Sequence, residues 1–212
     1  TLEALLSTGN SQSDQRVIDT AQLALGNLHL VLGELTKAQQ RFESISEKFA
    51  GLSSRAHLGL ARIALVQNDV DQAERHLRQS IEIMNEPKHA AVLHARALLA
   101  EVELRRNRFA QAISMALEVA AVAQASAAQK PAWTAHWIAA RAMQAQGRVN
   151  EAVAALHRAI EIIESQSVKL DPSGEGIAFL RERAEPYVSL ALTLGTGSRP
   201  DLTESFEVIG RL

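Results

Sequence analysis

The segment LGNLHLVLGELTKAQQRF, residues 25–42, contains the pattern on which the fold prediction rests. Its centre, GELTKA from residue 33, is matched by NDVDQA from residue 68, NRFAQA from residue 107 and GRVNEA from residue 147. Each match is a Gly or Asn, four further residues and then an Ala, and the matches begin 35, 39 and 40 residues apart. Self-similarity at a nearly fixed spacing predicts an array of repeated supersecondary units.

The residue types within each repeat predict a helical hairpin. Gly and Asn tolerate the left-handed conformation that ends a helix, and the Ala five residues later falls in the first turns of the next helix. Seven residues before the four turns stand the small residues Gly26, Ala61, Ala100 and Ala140. Small residues on both helices allow a close approach. We therefore expect an all-α fold, a right-handed superhelical solenoid of antiparallel helix hairpins.

Five hairpins are expected, preceded by a partial helix over residues 2–8. They cover about residues 13–48, 52–84, 88–126, 131–167 and 176–212 of the sequence. Residues 1–212 then form one repeat domain, in which DPSGEG at 171–176 is the clearest loop. The chain starts without Met or an apolar leader and its last residues, EVIGRL, resemble the middle of a helix, so we expect a fragment of a longer protein.

The composition excludes or disfavours several classes of protein and of binding partner. The 212 residues include 22 Lys and Arg and 24 Asp and Glu, a net charge of -2 that gives no electrostatic reason to expect nucleic acid or a membrane as partner. The absence of Cys excludes disulfides and thiolate nucleophiles and fits a cytoplasmic protein. Aromatic residues at 4% and few Gly and Pro disfavour an all-β fold.

No motif predicts catalysis, a metal or a cofactor. The chain lacks H-E-x-x-H, G-x-S-x-G and the P-loop pattern. Arg105, Arg106 and Arg108 are interpreted as cations favoured near a helix C-terminus rather than as a site for an acidic partner. Trp133 and Trp137 share one helix face, and we expect at least one of them to be packed.

The repeat pattern resembles the tetratricopeptide repeat signature, which residues 25–42 match with Leu25, Gly26, Gly33, Ala38 and Phe42. The resemblance covers about residues 13–168, although the early Trp and the Tyr of the signature are missing. It implies that the first helices of the hairpins line a concave groove that binds a peptide or protein partner. The groove residues that it implies are Asn27, Arg62, His94, Glu101, Trp137 and Arg141.

A second resemblance concerns GIAFLRERAEPYVSLALTLGTGS, residues 176–198, which is similar to the last repeat before the peptidase domain of bacterial CHAT proteins, the caspase- and separase-like proteases. The shared residues are Phe179, Arg183, Tyr187, Glu207 and Arg211. The resemblance implies a regulatory region of a larger protease, whose His/Cys dyad lies outside this Cys-free chain. Two alternatives stay open: the effector-sensing superhelical region of a large transcription activator, and an enzyme with a deep polar pocket.

Overall fold

The fold is all-α throughout the residues that the computed structural model describes, which are 12–165, 175–196 and 202–210. These residues contain ten helices and no strand, so the predicted fold class is confirmed. The helices are α1 (Gln12–Val31), α2 (Leu35–Glu43), α3 (Ala50–Val66), α4 (Val70–Met84), α5 (Ala90–Arg105), α6 (Phe109–Ala125), α7 (Gln129–Ala145), α8 (Val149–Glu164), α9 (Glu175–Thr196) and α10 (Leu202–Gly210). The expected helix at 2–8 and most of the expected loop at 171–176 lie outside the described residues.

The chain divides into two compact units, Thr1–Ala95 and Arg96–Leu212. In the first unit, α1 pairs with α2 and α3 pairs with α4. In the second unit, α7 packs against both α6 and α8, and α9 packs against α8 and α10. None of the helices, over their described residues, is long and apolar enough to cross a membrane.

The four predicted turns adopt the left-handed backbone conformation that the sequence pattern indicated. The φ angles are +78° at Gly33, +60° at Asn68, +59° at Asn107 and +73° at Gly147. After each turn a backbone N–H returns to a carbonyl five residues earlier, at 2.9 Å for Glu34 to His29 and at similar lengths in the other three. This bond satisfies a carbonyl that the end of the helix would otherwise leave unpaired, and it reverses the chain into the second helix.

The core of the first unit is built around one aromatic ring. Phe42 of α2 is 1% exposed and lies between Gly26 of α1 and Gly59 of α3. A Cβ atom at Gly26 or Gly59 would come within 2.6 Å or 2.4 Å of the ring, so no side chain fits at either place while the ring stays there. The ring therefore occupies the space that two glycines leave open, and it joins three helices.

In the second unit the small residues of the repeat pattern are alanines. The predicted small residues Ala112, Ala140 and Ala152 have no exposed surface, and the larger Leu156 that follows Ala152 by one turn is equally buried. Small side chains at a helix crossing let the two backbones approach, and the neighbouring Leu fills the space beside the contact. The complete burial of these alanines is what small residues at helix crossings require, and their exact place at the crossings stays a prediction.

Candidate functional site

Three of the predicted groove residues come together in the second unit. Arg141 of α7 donates a hydrogen bond to Glu101 of α5, with 2.5 Å between Nη1 and Oε2, and its guanidinium lies 5.0 Å from the ring centroid of Trp137. Glu101 also accepts from Nε of Arg105 at 2.9 Å. A carboxylate and a stacked indole together hold the guanidinium in one orientation.

The same face continues from α7 to α9. The indole N–H of Trp137 donates to the Ser189 hydroxyl at 3.1 Å, and the Gln144 amide donates to the Thr193 hydroxyl at 2.5 Å. Helices α5, α7 and α9 are the first helices of three successive hairpins, so side chains join them across the repeats. We call this surface the first-helix face, and it consists of Glu101, Trp137, Arg141, Gln144, Ser189 and Thr193.

Glu101 does not present its charge to solvent, which corrects the expectation that it lines an open groove. The residue is only 4% exposed, and both of its carboxylate oxygens accept hydrogen bonds from arginines. A buried carboxylate needs such partners because it has lost its hydration. The charge available to a ligand on this face is therefore that of Arg141, whose side chain is 33% exposed.

The arginine cluster after α5 is also neutralised internally. Glu103 is 7% exposed and accepts hydrogen bonds from Arg106 at 3.4 Å and from Arg108 at 3.1 Å, while Arg105 is bound to Glu101. The four- and three-residue spacings from Glu101 to Arg105 and from Glu103 to Arg106 could have indicated these pairs in the sequence. The arginines of the cluster are therefore structural cations, because they neutralise the two buried carboxylates beside them.

The other three predicted groove residues lie in the first unit, each half-buried on a first helix. Asn27 lies on α1, Arg62 on α3 and His94 on α5. Asn27 and Arg62 precede their left-handed turn residues by six positions, as Glu101 and Arg141 do. Their repeat positions are equivalent, and their role in binding a partner stays a prediction.

The two tryptophans have different environments, and the histidines form one close pair. Trp133 is 5% exposed and packed, as expected of at least one indole, whereas Trp137 is half-buried. His57 of α3 and His76 of α4 approach to 3.1 Å between their Nδ1 atoms, and burial lowers the pKa of both. Over the described part of the chain, no group of three or more His, Asp or Glu side chains is arranged to hold a metal ion.

Comparison with known proteins places the repeats in a known class. Tetratricopeptide repeat models match residues 52–125 and residues 133–158, so the predicted tetratricopeptide-like repeats are confirmed. The crystal structure of BtubC (BKLC) from P. vanneervenii is similar at a TM-score of 0.57 and 14% identity, over 94% of this chain and 77% of that chain.

A second solved structure has the same fold. It is a crystal structure from Podosopora anserina, described as a kinesin light chain with nearly identical TPR-like repeats. It matches at a TM-score of 0.58 and 20% identity over 95% of each chain. Identities this low show a shared arrangement of helices and nothing about shared ligands. A search of curated proteins finds no match to this sequence.

Proposed function

We propose that this chain is an interaction domain that binds a peptide or a segment of a protein partner on the first helices of its repeats. The observation that carries the proposal is the side-chain network that joins α5, α7 and α9 on the first-helix face. Successive repeats thereby offer one extended surface, and tetratricopeptide repeats generally bind proteins or peptides.

The chemistry of the first-helix face suits an extended polypeptide. Arg141 offers a guanidinium that is already oriented by Glu101 and Trp137, so little side-chain entropy is lost when it binds a carbonyl or carboxylate. The Gln144 amide on the same helix and the Ser189 and Thr193 hydroxyls on α9 supply further donors and acceptors. Interfaces of this kind place a few fixed aromatic and Arg anchors among adaptable polar groups.

Selection of a peptide library on the purified chain, followed by calorimetry of the selected peptides, tests this proposal. The informative variant replaces Arg62 and Arg141 by Gln, which removes both positive charges and keeps a hydrogen-bond donor at each position. A matched control replaces Arg78 and Arg158 by Gln. These two exposed arginines lie on a second helix of the first and of the second unit, and the surface ion pair that each forms contributes little to stability.

We expect the selected peptides to lose affinity for the Arg62→Gln/Arg141→Gln variant and to keep it for the control. Far-ultraviolet circular dichroism should give the same helicity for both variants. Equal affinity for the first variant and reduced affinity for the control would place the partner on the second helices and reject the proposal.

We further propose that the domain is the regulatory repeat region of a CHAT-type protease. Support comes from the sequence resemblance over residues 176–198. Within that segment Tyr187 is buried and its hydroxyl donates to Glu164 at 3.2 Å, which is a packing role. Glu207 is exposed on α10, whereas the side chains of Phe179 and Arg183 and the whole of Arg211 lie outside the described residues. Sequencing the gene beyond the codon for Leu212 tests the proposal: a His/Cys peptidase domain is expected, and a helix-turn-helix domain would reject it.

A further inference from the structure

A cleft with a basic lining occurs in the first unit, away from the predicted groove residues of that unit. Its volume is about 680 Å³, within the usual range for ligand sites. Three stretches that are distant in sequence form its walls: the first turns of α1, the link from α2 into the start of α3, and the residue before α5. The cleft therefore lies where three successive hairpins begin.

All the ionisable groups that line the cleft are basic. Arg16, Lys48 and Arg55 line it together with His89, and no Asp or Glu does. The first three are exposed, and none of them forms an ion pair with any residue that the structure describes. This distinguishes them from the arginines after α5, which are bound to buried carboxylates. The chain has a net charge of -2, so the positive charge here is local.

The backbone adds to the positive potential at the same place. Helix α3 begins at Ala50, and the residue at its N-cap position, Phe49, makes no side-chain capping bond. Ala50 and Gly51 line the cleft, so the positive end of the helix dipole lies at its wall. A side-chain oxygen is the usual cap at such a position, and a ligand carboxylate can take its place.

The cleft also has an apolar part. Phe49 and Leu52 contribute to its lining, and the guanidinium of Arg16 lies 6.0 Å from the Phe49 ring centroid. Three cations around an aromatic side chain fit a ligand that carries several negative charges beside an apolar group. Carboxylate side chains next to a Leu or Phe in a polypeptide satisfy both requirements.

We infer that this cleft binds an acidic segment of a protein partner, in which Asp or Glu residues flank one large apolar side chain. The apolar side chain rests on Phe49 and Leu52, while the carboxylates pair with Arg16, Lys48 and Arg55. The inference deepens the proposed function, because it defines the chemistry of a second contact, but it uses none of the residues of the first-helix face.

Fluorescence anisotropy with a labelled peptide of Glu residues around a central Leu tests this inference. The matched probe has every Glu replaced by Gln, so it keeps its length and its apolar side chain. The cleft variant combines Arg16→Gln, Lys48→Gln and Arg55→Gln. The control variant combines Arg75→Gln, Arg78→Gln and Arg158→Gln, which removes the same net charge from exposed places on second helices.

We expect the acidic peptide to bind wild type at least about tenfold more tightly than the Gln peptide, and the cleft variant to lose at least about tenfold in affinity. The control variant should bind as wild type does, and added salt should weaken binding. The inference would be overturned if the two peptides bound equally, or if the control variant lost as much affinity for the acidic peptide as the cleft variant does. It would also be overturned if inorganic phosphate or an RNA oligonucleotide bound the cleft more tightly than the acidic peptide.

Failure here can be told apart from failure of the proposed function. If the selected peptides still depend on Arg62 and Arg141 while the acidic peptide does not bind, only the cleft assignment is lost. If the acidic peptide binds at the cleft and no selected peptide depends on Arg62 and Arg141, the first-helix face is lost and the cleft remains.

Discussion

The contact of Phe42 with two glycines makes a sharp prediction about stability. In Gly59→Ala the new Cβ would lie 2.4 Å from Cζ and 2.5 Å from Cε2 of the ring, whereas carbon atoms in contact prefer about 3.5–4.0 Å. The ring must therefore move by about 1 Å. It cannot do so freely, because Gly26 lies against it as well, where an added Cβ would be 2.6 Å away.

Two opposing effects determine how much Gly59→Ala changes the free energy of unfolding. Overpacking of a buried site costs about 1–3 kcal/mol, and replacing Gly by Ala within a helix returns up to about 1 kcal/mol. We expect Gly59→Ala to lower the free energy of unfolding by about 1–2 kcal/mol. In a Phe42→Leu background, the smaller side chain leaves room for the Cβ, so the same substitution should be neutral or stabilising there.

Urea unfolding followed by far-ultraviolet circular dichroism measures these changes. The control is Gly51→Ala on the same helix, where the added Cβ meets nothing within 4 Å beyond its chain neighbours and the local helix backbone, so stability should stay equal or rise. A double-mutant cycle of Gly59→Ala with Phe42→Leu isolates the contact energy. The Phe42 ring is not the cause of the loss if Gly59→Ala has the same effect in both backgrounds, or if Gly51→Ala destabilises the protein as much.

Three other expectations can be checked with the same methods. Ala152→Leu adds three carbons at a fully buried crossing and should cost about 1–3 kcal/mol; unchanged unfolding by tryptophan fluorescence, which reports the second unit, would contradict the assigned crossing. Gly147→Ala places a Cβ in open space but at φ +73°, so a loss of about 1 kcal/mol from backbone strain alone is expected in urea unfolding. Burial, and for His57 the nearby His76, lowers the pKa of both imidazoles below 6.5 in the folded state, so the unfolded chain binds more protons and stability should fall as the pH drops below about 6.5. Replacing both histidines by Gln should make that fall shallower, and an unchanged pH profile would show that the pair does not contribute.

Much of the fold could be predicted from the sequence because its signals are local. Gly33, Asn68, Asn107 and Gly147 adopt positive φ because their residue types tolerate it, which depends little on the rest of the chain. The spacing of small residues likewise indicated which helix faces cross, and Ala112 and Ala152 are fully buried. Trp137 and Arg141 are four residues apart on one helix, so they share a helix face and stack, and their role in partner binding stays a prediction.

Tertiary structure alone decided which residues meet across the repeats. Glu101 and Arg141 are 40 residues apart, and their pairing depends on how α5 and α7 pack, so the burial of Glu101 could not be inferred from helix periodicity. The Phe42–Gly59 contact and the basic cleft have the same origin, since each combines stretches that are not neighbours in sequence. Local residue types fix backbone conformation within a few residues, whereas contacts and charges at a site depend on distances that only packing sets.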